Sequence, residues 1–294
     1  MPIENTCKVK VTRVISKNTV FKGLTREWSL DNTLVMGILN VTPDSFSDGG
    51  LNTNKDTAVS SALRMVDEGA HIIDVGGESS RPGSDSVSEE EELKRVIPVI
   101  EELSKKGIQV SVDTTKSKVA EKAIEAGAEI VNDISALTFD SEMAEVVSRT
   151  GAAVVLMHMR GNPKTMQAGD LDKAYADVVG EVKSYLKDRI DFAQSKGIKK
   201  EKIAIDPGIG FGKSVEGNLR LIKELKSFCD LGVPVLLGAS RKSFIGAVTG
   251  LDVGDRVAPS VAVALIGVMN GASIVRVHDV RETVGALKVL NEVI

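Results

Sequence analysis

The chain has 294 residues, 42% of them hydrophobic and 27% charged, with 27 glycines and 8 prolines. That composition excludes a disordered chain, and the length suits one (β/α) barrel or roughly two average domains. Lys and Arg number 37 against 41 Asp and Glu, a formal charge of −4, so no overall basic field exists for counterion release on nucleic acid and no nucleic-acid partner is expected.

The opening MPIENTCKVKVTRVI alternates like a strand and carries no apolar signal core. Residues 1–33 read as a short N-terminal β-hairpin with Gly23 near its turn, placed to close a barrel bottom. From Leu34 on, apolar runs alternate with helical patterns: LVMGIL (34–39), HIIDV (71–75), IQVSV (108–112), EIV (129–131), AVVLM (153–157), KIAI (202–205), PVLL (234–237) and SIVRV (273–277). Near-continuous Val, Ile and Leu marks strands covered on both faces, and the intervening segments are long enough for crossover helices. In TKSKVAEKAIEAG, for instance, Val119, Ala120, Ala123 and Ile124 recur at helical spacing. Each later passage into a strand carries a glycine suited to a left-handed helix end: Gly69, Gly107, Gly127, Gly151, Gly197, Gly232 and Gly271. Eight such units predict an α/β fold, a (β/α)8 TIM barrel over residues 34–294 forming a single domain with the hairpin. A doubly wound open sheet is the runner-up, but MGILNVTPDS stands where G-x-G-x-x-G would follow the first strand.

The longest apolar stretch, VAPSVAVALIGVMNGASIV (257–275), is broken by Pro259, Ser260, Asn270 and Ser273, so a buried helix and strand are expected and not a membrane span. Cys7 and Cys229 form no metal or redox motif, which suits a reducing cytoplasm.

Barrel chemistry sits at the C-terminal ends of the strands. Just past the apolar runs stand Asn40, Asp74, Asp113, Asn132, His158, Asp206, then Ser240 with Arg241 and Lys242, and finally Arg276 and His278. Singly, each reads as readily as a helix cap; together they point to a site. Asp113, Asn132 and Asp206 suit a flat heterocycle rich in N–H donors, whereas Asn40, Arg81, Arg276 and His278 offer donors to phosphate or pyrophosphate oxygens. Other chemistries fit less well. There are 3 histidines, and His71 precedes its strand at the opposite end from His158 and His278, against a zinc site. No G-x-S-x-G elbow surrounds Ser240, and GIGFGK (208–213) lacks Walker A spacing, so it reads as a strand-to-helix turn. Lys242 could form a Schiff base or contact an anion or carbonyl. The Gly- and Ser-rich loops NVTPDSFSDGGLN and GGESSRPGSDS read as mobile lids.

The blocks MGILNVTPDSFSDGG, IIDVGGESSRPG, SVDTTK, IVNDIS, LMHMRGNPKTMQ, IDPGIGFGK, LLGASRKSFIG and RVHDV, spread from Val35 to Thr283, resemble dihydropteroate synthase, the barrel enzyme of folate synthesis. The resemblance implies that Asp113, Asn132, Asp206 and Lys242 hold a pterin ring with Met157 near it. It implies that Asn40, Arg276 and His278 hold pyrophosphate, Asn40 also touching Mg²⁺. Loops carrying Asp48 and Arg81 would close over the site, and Ser80, Arg81, Pro82, Phe211, Lys242 and Ser243 would surround para-aminobenzoate. The implied catalytic set is Asn40, Asp48, Arg81, Asp113, Lys242, Arg276 and His278, the implied cofactor Mg²⁺ and the implied partner a second copy of the chain in a homodimer. One departure stands out: ESSRPG puts Ser80 where Thr is common, one methyl fewer beside the aromatic substrate. The competing functions are a pterin-binding methyltransferase, which would need no pyrophosphate or aminobenzoate pocket, and a non-catalytic pterin-binding paralogue, against which Asn40, Lys242, Arg276 and His278 argue.

Overall fold

A computed structural model describes residues 20–42, 51–81 and 83–293. Two short strands, β1 (Val20–Lys22) and β2 (Glu27–Ser29), form the expected antiparallel hairpin. Eight more follow: β3 (Leu34–Asn40), β4 (Ile72–Gly76), β5 (Val110–Asp113), β6 (Ile130–Asp133), β7 (Ala153–Met157), β8 (Ile203–Asp206), β9 (Leu236–Leu237) and β10 (Ile274–Val277). They pair in parallel in the order β8-β7-β6-β5-β4-β3-β10-β9, and a bridge between Ile205 and Val235 joins the two ends into a ring. Between them run α1 (Leu51–Asp67), α2 (Glu89–Lys105), α3 (Ser117–Glu125), α4 (Met143–Thr150), α5 (Val178–Ser195), α6 (Val215–Lys223), α7 (Lys226–Cys229), α8 (Ser243–Thr249) and α9 (Val257–Met269), and α10 (Val280–Val293) closes the series. The fold is the (β/α)8 barrel expected from eight apolar runs.

The strand pleat explains why those runs are nearly continuous. Successive side chains face opposite sides of a strand. Val35, Ile73, Val75, Val112, Val131, Val154, Ile205 and Val275 face outward into the core shared with the helices. Their neighbours Met36, Ile72, Ile130, Val155, Ala204, Leu236 and Ile274 face inward and fill the lower barrel. Apart from Ser111 on β5, both faces are therefore apolar until the last turn of the pleat. Of PVLL, only Leu236–Leu237 count as strand, but Pro234 O accepts from the Ile205 N–H at 2.9 Å and Val235 O from the Ser273 and Ile274 N–H groups, so the run still closes the ring.

The hairpin plugs the bottom. Phe21 and Trp28 stack with centroids 5.6 Å apart and join the inner core. At the turn, the Leu24 and Thr25 N–H groups donate to the Glu129 carboxylate at 2.5 and 2.9 Å, and Lys202 donates to the carbonyls of Gly23 and Gly151. All seven glycines expected at helix ends have φ between 70° and 109°. Among the described residues no helix is long and apolar enough to cross a membrane; the stretch 257–275 forms α9 and β10 instead.

Candidate active site

The inner pleat positions change character at the C-terminal ends of the strands. Above Ile72 comes Asp74, above Ser111 comes Asp113, above Ile130 comes Asn132, above Val155 comes Met157, above Ala204 comes Asp206 and above Ile274 comes Arg276. Pairing registers Asn40, Gly76, Asp113 and Asn132 in one row across four strands. Gly76 leaves that row open, since a Cβ there would stand 3.5 Å from Asp113 Cβ and 3.9 Å from the Asn40 side-chain Oδ1. A polar layer thus lies on an apolar plug at the mouth.

Arg276 ties the layer together. Its Nε donates to Asp74 Oδ2 at 2.5 Å and its Nη2 to Asp113 Oδ2 at 2.7 Å, while Asn132 Nδ2 donates to Asp74 at 2.9 Å. Burial alone would weaken the Arg276 charge, but the two carboxylates win and hold the guanidinium protonated above its usual range. Burial drives the Asp113 carboxyl up to about 7 against the pull of Arg276. Asp74 is fully buried and its Oδ1 has no hydrogen-bond partner among the described residues. Strand-end reading finds Asp74, but its role as the carboxylate that orients both Arg276 and Asn132 depends on contacts 202 and 58 residues away in the chain.

His278 follows β10. Its backbone N–H donates to Ser240 Oγ at 3.2 Å, and its ring Nδ1 lies 3.0 Å from the same hydroxyl. Burial, then Arg276 and Arg241, push the imidazole down to about 4, so His278 acts as a neutral donor near pH 7.

After β8 the chain turns through residues 207–213. Asp206 Oδ1 accepts from the Gly208 N–H at 2.7 Å, leaving Oδ2 over Gly238, and burial raises the Asp206 carboxyl. The turn is rigid. Lys213, 3% exposed, donates to the carbonyls of Gly208 and Phe211 at 2.9 and 3.0 Å and lies 2.9 Å from His158 Nδ1. Burial brings the Lys213 ammonium down to about 7 and the His158 imidazole to about 3. His158 packs edge-on against Tyr185 at 4.9 Å, so this strand-end polar residue serves the turn and not the mouth. Sequence reading misses Lys213, although its place at the end of GIGFGK was the available signal. The turn delivers Phe211 into a cluster with Met157 and Met166. Over its ring, 4.0 Å from the centroid, sits the Lys242 ammonium, which burial and then Arg276 lower to about 8.

Ser243 begins α8 next to Lys242 and is exposed at the mouth. Across from it, Ser80 is half-buried and Arg81 exposed, and Gly83 N–H ties their loop to Pro163 O at 3.1 Å. Lys116 anchors the base of that loop by bridging Glu78 and Glu92. A cavity of about 340 Å³ opens there, with Ser80, Asp113, Thr114, Ile134 and Phe139 among its walls. Asp48, Pro82 and most of the first expected lid lie outside the described residues. No group of three His, Cys, Asp or Glu side chains that could hold a metal is found among the described residues. Asn40 offers one hard amide oxygen, which fits Mg²⁺ completed by substrate phosphate oxygens and water, its common mode of binding.

A family model described as pterin binding enzyme matches residues 36–278. A dihydropteroate synthase of Escherichia coli (strain K12) is 48% identical over 262 residues, which is 89% of this chain and 92% of that protein. A solved dihydropteroate synthase of Xanthomonas albilineans with 4-aminobenzoic acid is similar at a TM-score of 0.87 and 46% identity, covering 94% of this chain and 98% of that one. The Xanthomonas albilineans enzyme in complex with 7,8-dihydropteroate gives 0.83 and 44%, covering 93% and 98%.

Proposed function

The chain belongs to the dihydropteroate synthases of the pterin-binding enzymes, a transferase family, and on that premise we propose how its barrel mouth divides the work of the reaction. The reaction condenses 6-hydroxymethyl-7,8-dihydropterin pyrophosphate with para-aminobenzoate to give 7,8-dihydropteroate and pyrophosphate. The observation that carries the assignment of roles is the polar layer of Asp74, Asp113, Asn132, Asp206 and Arg276 resting on an otherwise apolar barrel interior.

The pterin lies on that layer. Asp206 Oδ2 and Asn132 take its ring N–H donors, Asp113 closes the edge, and Met157 covers one face. Lys242 above Phe211 separates the pterin slot from the aminobenzoate side, where Ser80, Arg81 and Ser243 complete the pocket. The aminobenzoate nitrogen uses its own lone pair to attack the exocyclic methylene carbon while the C–O bond to pyrophosphate breaks. The leaving oxygen keeps that electron pair, and the new nitrogen sheds its proton to water. No activated side-chain nucleophile is required, which accords with a mouth that contains no triad.

Two demands fall on the protein. Positive charge develops on the pterin methylene, and the carboxylates beneath it favour that charge; negative charge grows on pyrophosphate, and His278, Arg276 and Asn40 stand where donors are needed. Mg²⁺ held by Asn40 and the pyrophosphate would supply further neutralisation of the leaving group. The loop carrying Arg81 closes over the bound substrates. A reducing cytoplasm suits the free thiol of Cys229. A homodimer is supported by α8, α9 and the turn between them, where Val248, Val253, Ile266 and Met269 are 56%, 57%, 47% and 38% exposed.

His278→Ala tests the anion role most cleanly, because it removes one donor and leaves the Arg276 carboxylate pairs intact. Loss of a preorganised donor lowers turnover by a factor of about 100 at saturating substrates, with an unchanged melting temperature. A folded variant that keeps more than about half of wild-type turnover would place the pyrophosphate elsewhere.

A further inference from the structure

The turn that carries Lys242 and Ser243 is held in a conformation its own sequence does not favour. Arg241 has φ 57°, a left-handed backbone for a residue with a side chain. Such a turn persists only where surrounding contacts determine it. Three such contacts converge here. The Arg241 guanidinium grips the Asp279 carboxylate with Nε at 3.0 Å and Nη2 at 2.5 Å, tying the turn to the end of β10 beside His278. The Arg241 N–H donates to Ser260 Oγ at 2.9 Å, and that hydroxyl donates to Arg256 O at 2.5 Å. Arg256 itself reaches back over the turn: Nη1 donates to the carbonyls of Arg241 at 3.3 Å and Lys242 at 3.5 Å, while Nε donates to Leu251 O at 3.0 Å.

Arg256 precedes α9 and lies outside the mouth, with no contact to the polar layer. Its guanidinium occupies the space left by Gly246 in α8, where a Cβ would collide with it. What the turn delivers is Lys242, whose stem lies against Gly210 and whose ammonium sits over Phe211, with Ser243 directly after it. We propose that Arg256 is a positioning residue: its guanidinium clamps the strained Arg241–Lys242 carbonyls and so sets Lys242 and Ser243 for the aromatic amine substrate. This inference rests on the synthase reading of the site.

Gly246→Ala and Arg256→Ala test it from opposite sides. Alanine is favoured over glycine inside a helix, so Gly246→Ala leaves α8 at least as stable while its methyl displaces the flexible guanidinium. Both variants raise KM for para-aminobenzoate about tenfold or more, the scale of effect expected when a contact group moves by a fraction of its reach, with kcat affected less. The double variant is no worse than either single one, because both changes remove the same clamp. A second readout follows Lys242 itself. It faces Asp206, Asp113, Arg276 and Arg81, and in the wild type its ammonium loses a proton near pH 8. Freed toward water, it returns toward its ordinary range, so the basic limb of kcat/KM moves upward in both variants. Arg256→Lys, with a single ammonium in place of the fork, recovers only part of the KM.

Wild-type KM and an unmoved basic limb in folded Gly246→Ala would overturn the clamp, as would lowered melting in Arg256→Ala with unchanged kinetics. Additive effects in the double variant would also overturn it. A wild-type protein that forms no dihydropteroate would instead overturn the synthase reading, before any variant is compared.

Discussion

Arg276 shows how one residue can be structural and functional at once. Between Asp74 and Asp113 it forms ion pairs with two carboxylates at once, one of them fully buried. A pterin lying on this layer would meet Asp206 through Oδ2, which lies over Gly238 while Oδ1 accepts from the Gly208 N–H. Asp206→Asn turns an acceptor toward a substrate edge of donors. Charge-assisted hydrogen bonds contribute on the order of 1.5 to 3 kcal/mol, so affinity for pterin pyrophosphate falls at least about tenfold. Calorimetric titration measures this directly, and an unchanged Kd would remove Asp206 from the pterin site. At this scale the residues at strand ends are legible in sequence, because a polar residue closing an apolar run has few other reasons to be there. Their pairing is not legible, because Arg276 and Asp74 meet only when the first and last strands of the ring lie side by side.

At the scale of elements, the barrel reads well because its two apolar faces make every strand a short continuous run, and glycines mark each helix end. The β8 to α6 passage reads less well. GIGFGK has the look of a loose loop, yet Lys213 is buried within it and satisfies three of its surrounding groups. Nothing local to the sequence distinguishes a lysine that reaches water from one that folds back on its own turn. Gly208 lets this happen: φ is 71°, and a Cβ there would run into the His158 carbonyl oxygen. Gly208→Ala therefore combines left-handed strain with overpacking, about 2 to 4 kcal/mol of stability. Gly83→Ala, at φ 79° with no described atom within 4 Å of a new Cβ, carries the strain alone and costs about 1 to 2 kcal/mol. Urea unfolding of the two variants separates them; equal losses would mean that the His158 contact does not constrain the turn.

The whole molecule is a plugged barrel with chemistry at one end. The hairpin seals the bottom through Phe21, Trp28 and the Glu129 carboxylate, so the polar layer above is reached only from the mouth. On its flank, α9 is apolar nearly all round, a pattern that sequence reading assigns to burial; Ile266 and Met269 stand exposed instead. A second copy of the chain would cover them. Sedimentation of the wild type is expected to give a dimer, and Ile266→Lys a folded monomer; a monomeric wild type at micromolar concentration would contradict the pairing. The most direct test of the account as a whole follows both products of the reaction. Purified protein supplied with 6-hydroxymethyl-7,8-dihydropterin pyrophosphate, para-aminobenzoate and Mg²⁺ is predicted to release pyrophosphate and form 7,8-dihydropteroate in equal amounts, and only when the aminobenzoate is present. Pyrophosphate release at the same rate without it, or pterin binding with no dihydropteroate formed, would contradict the account.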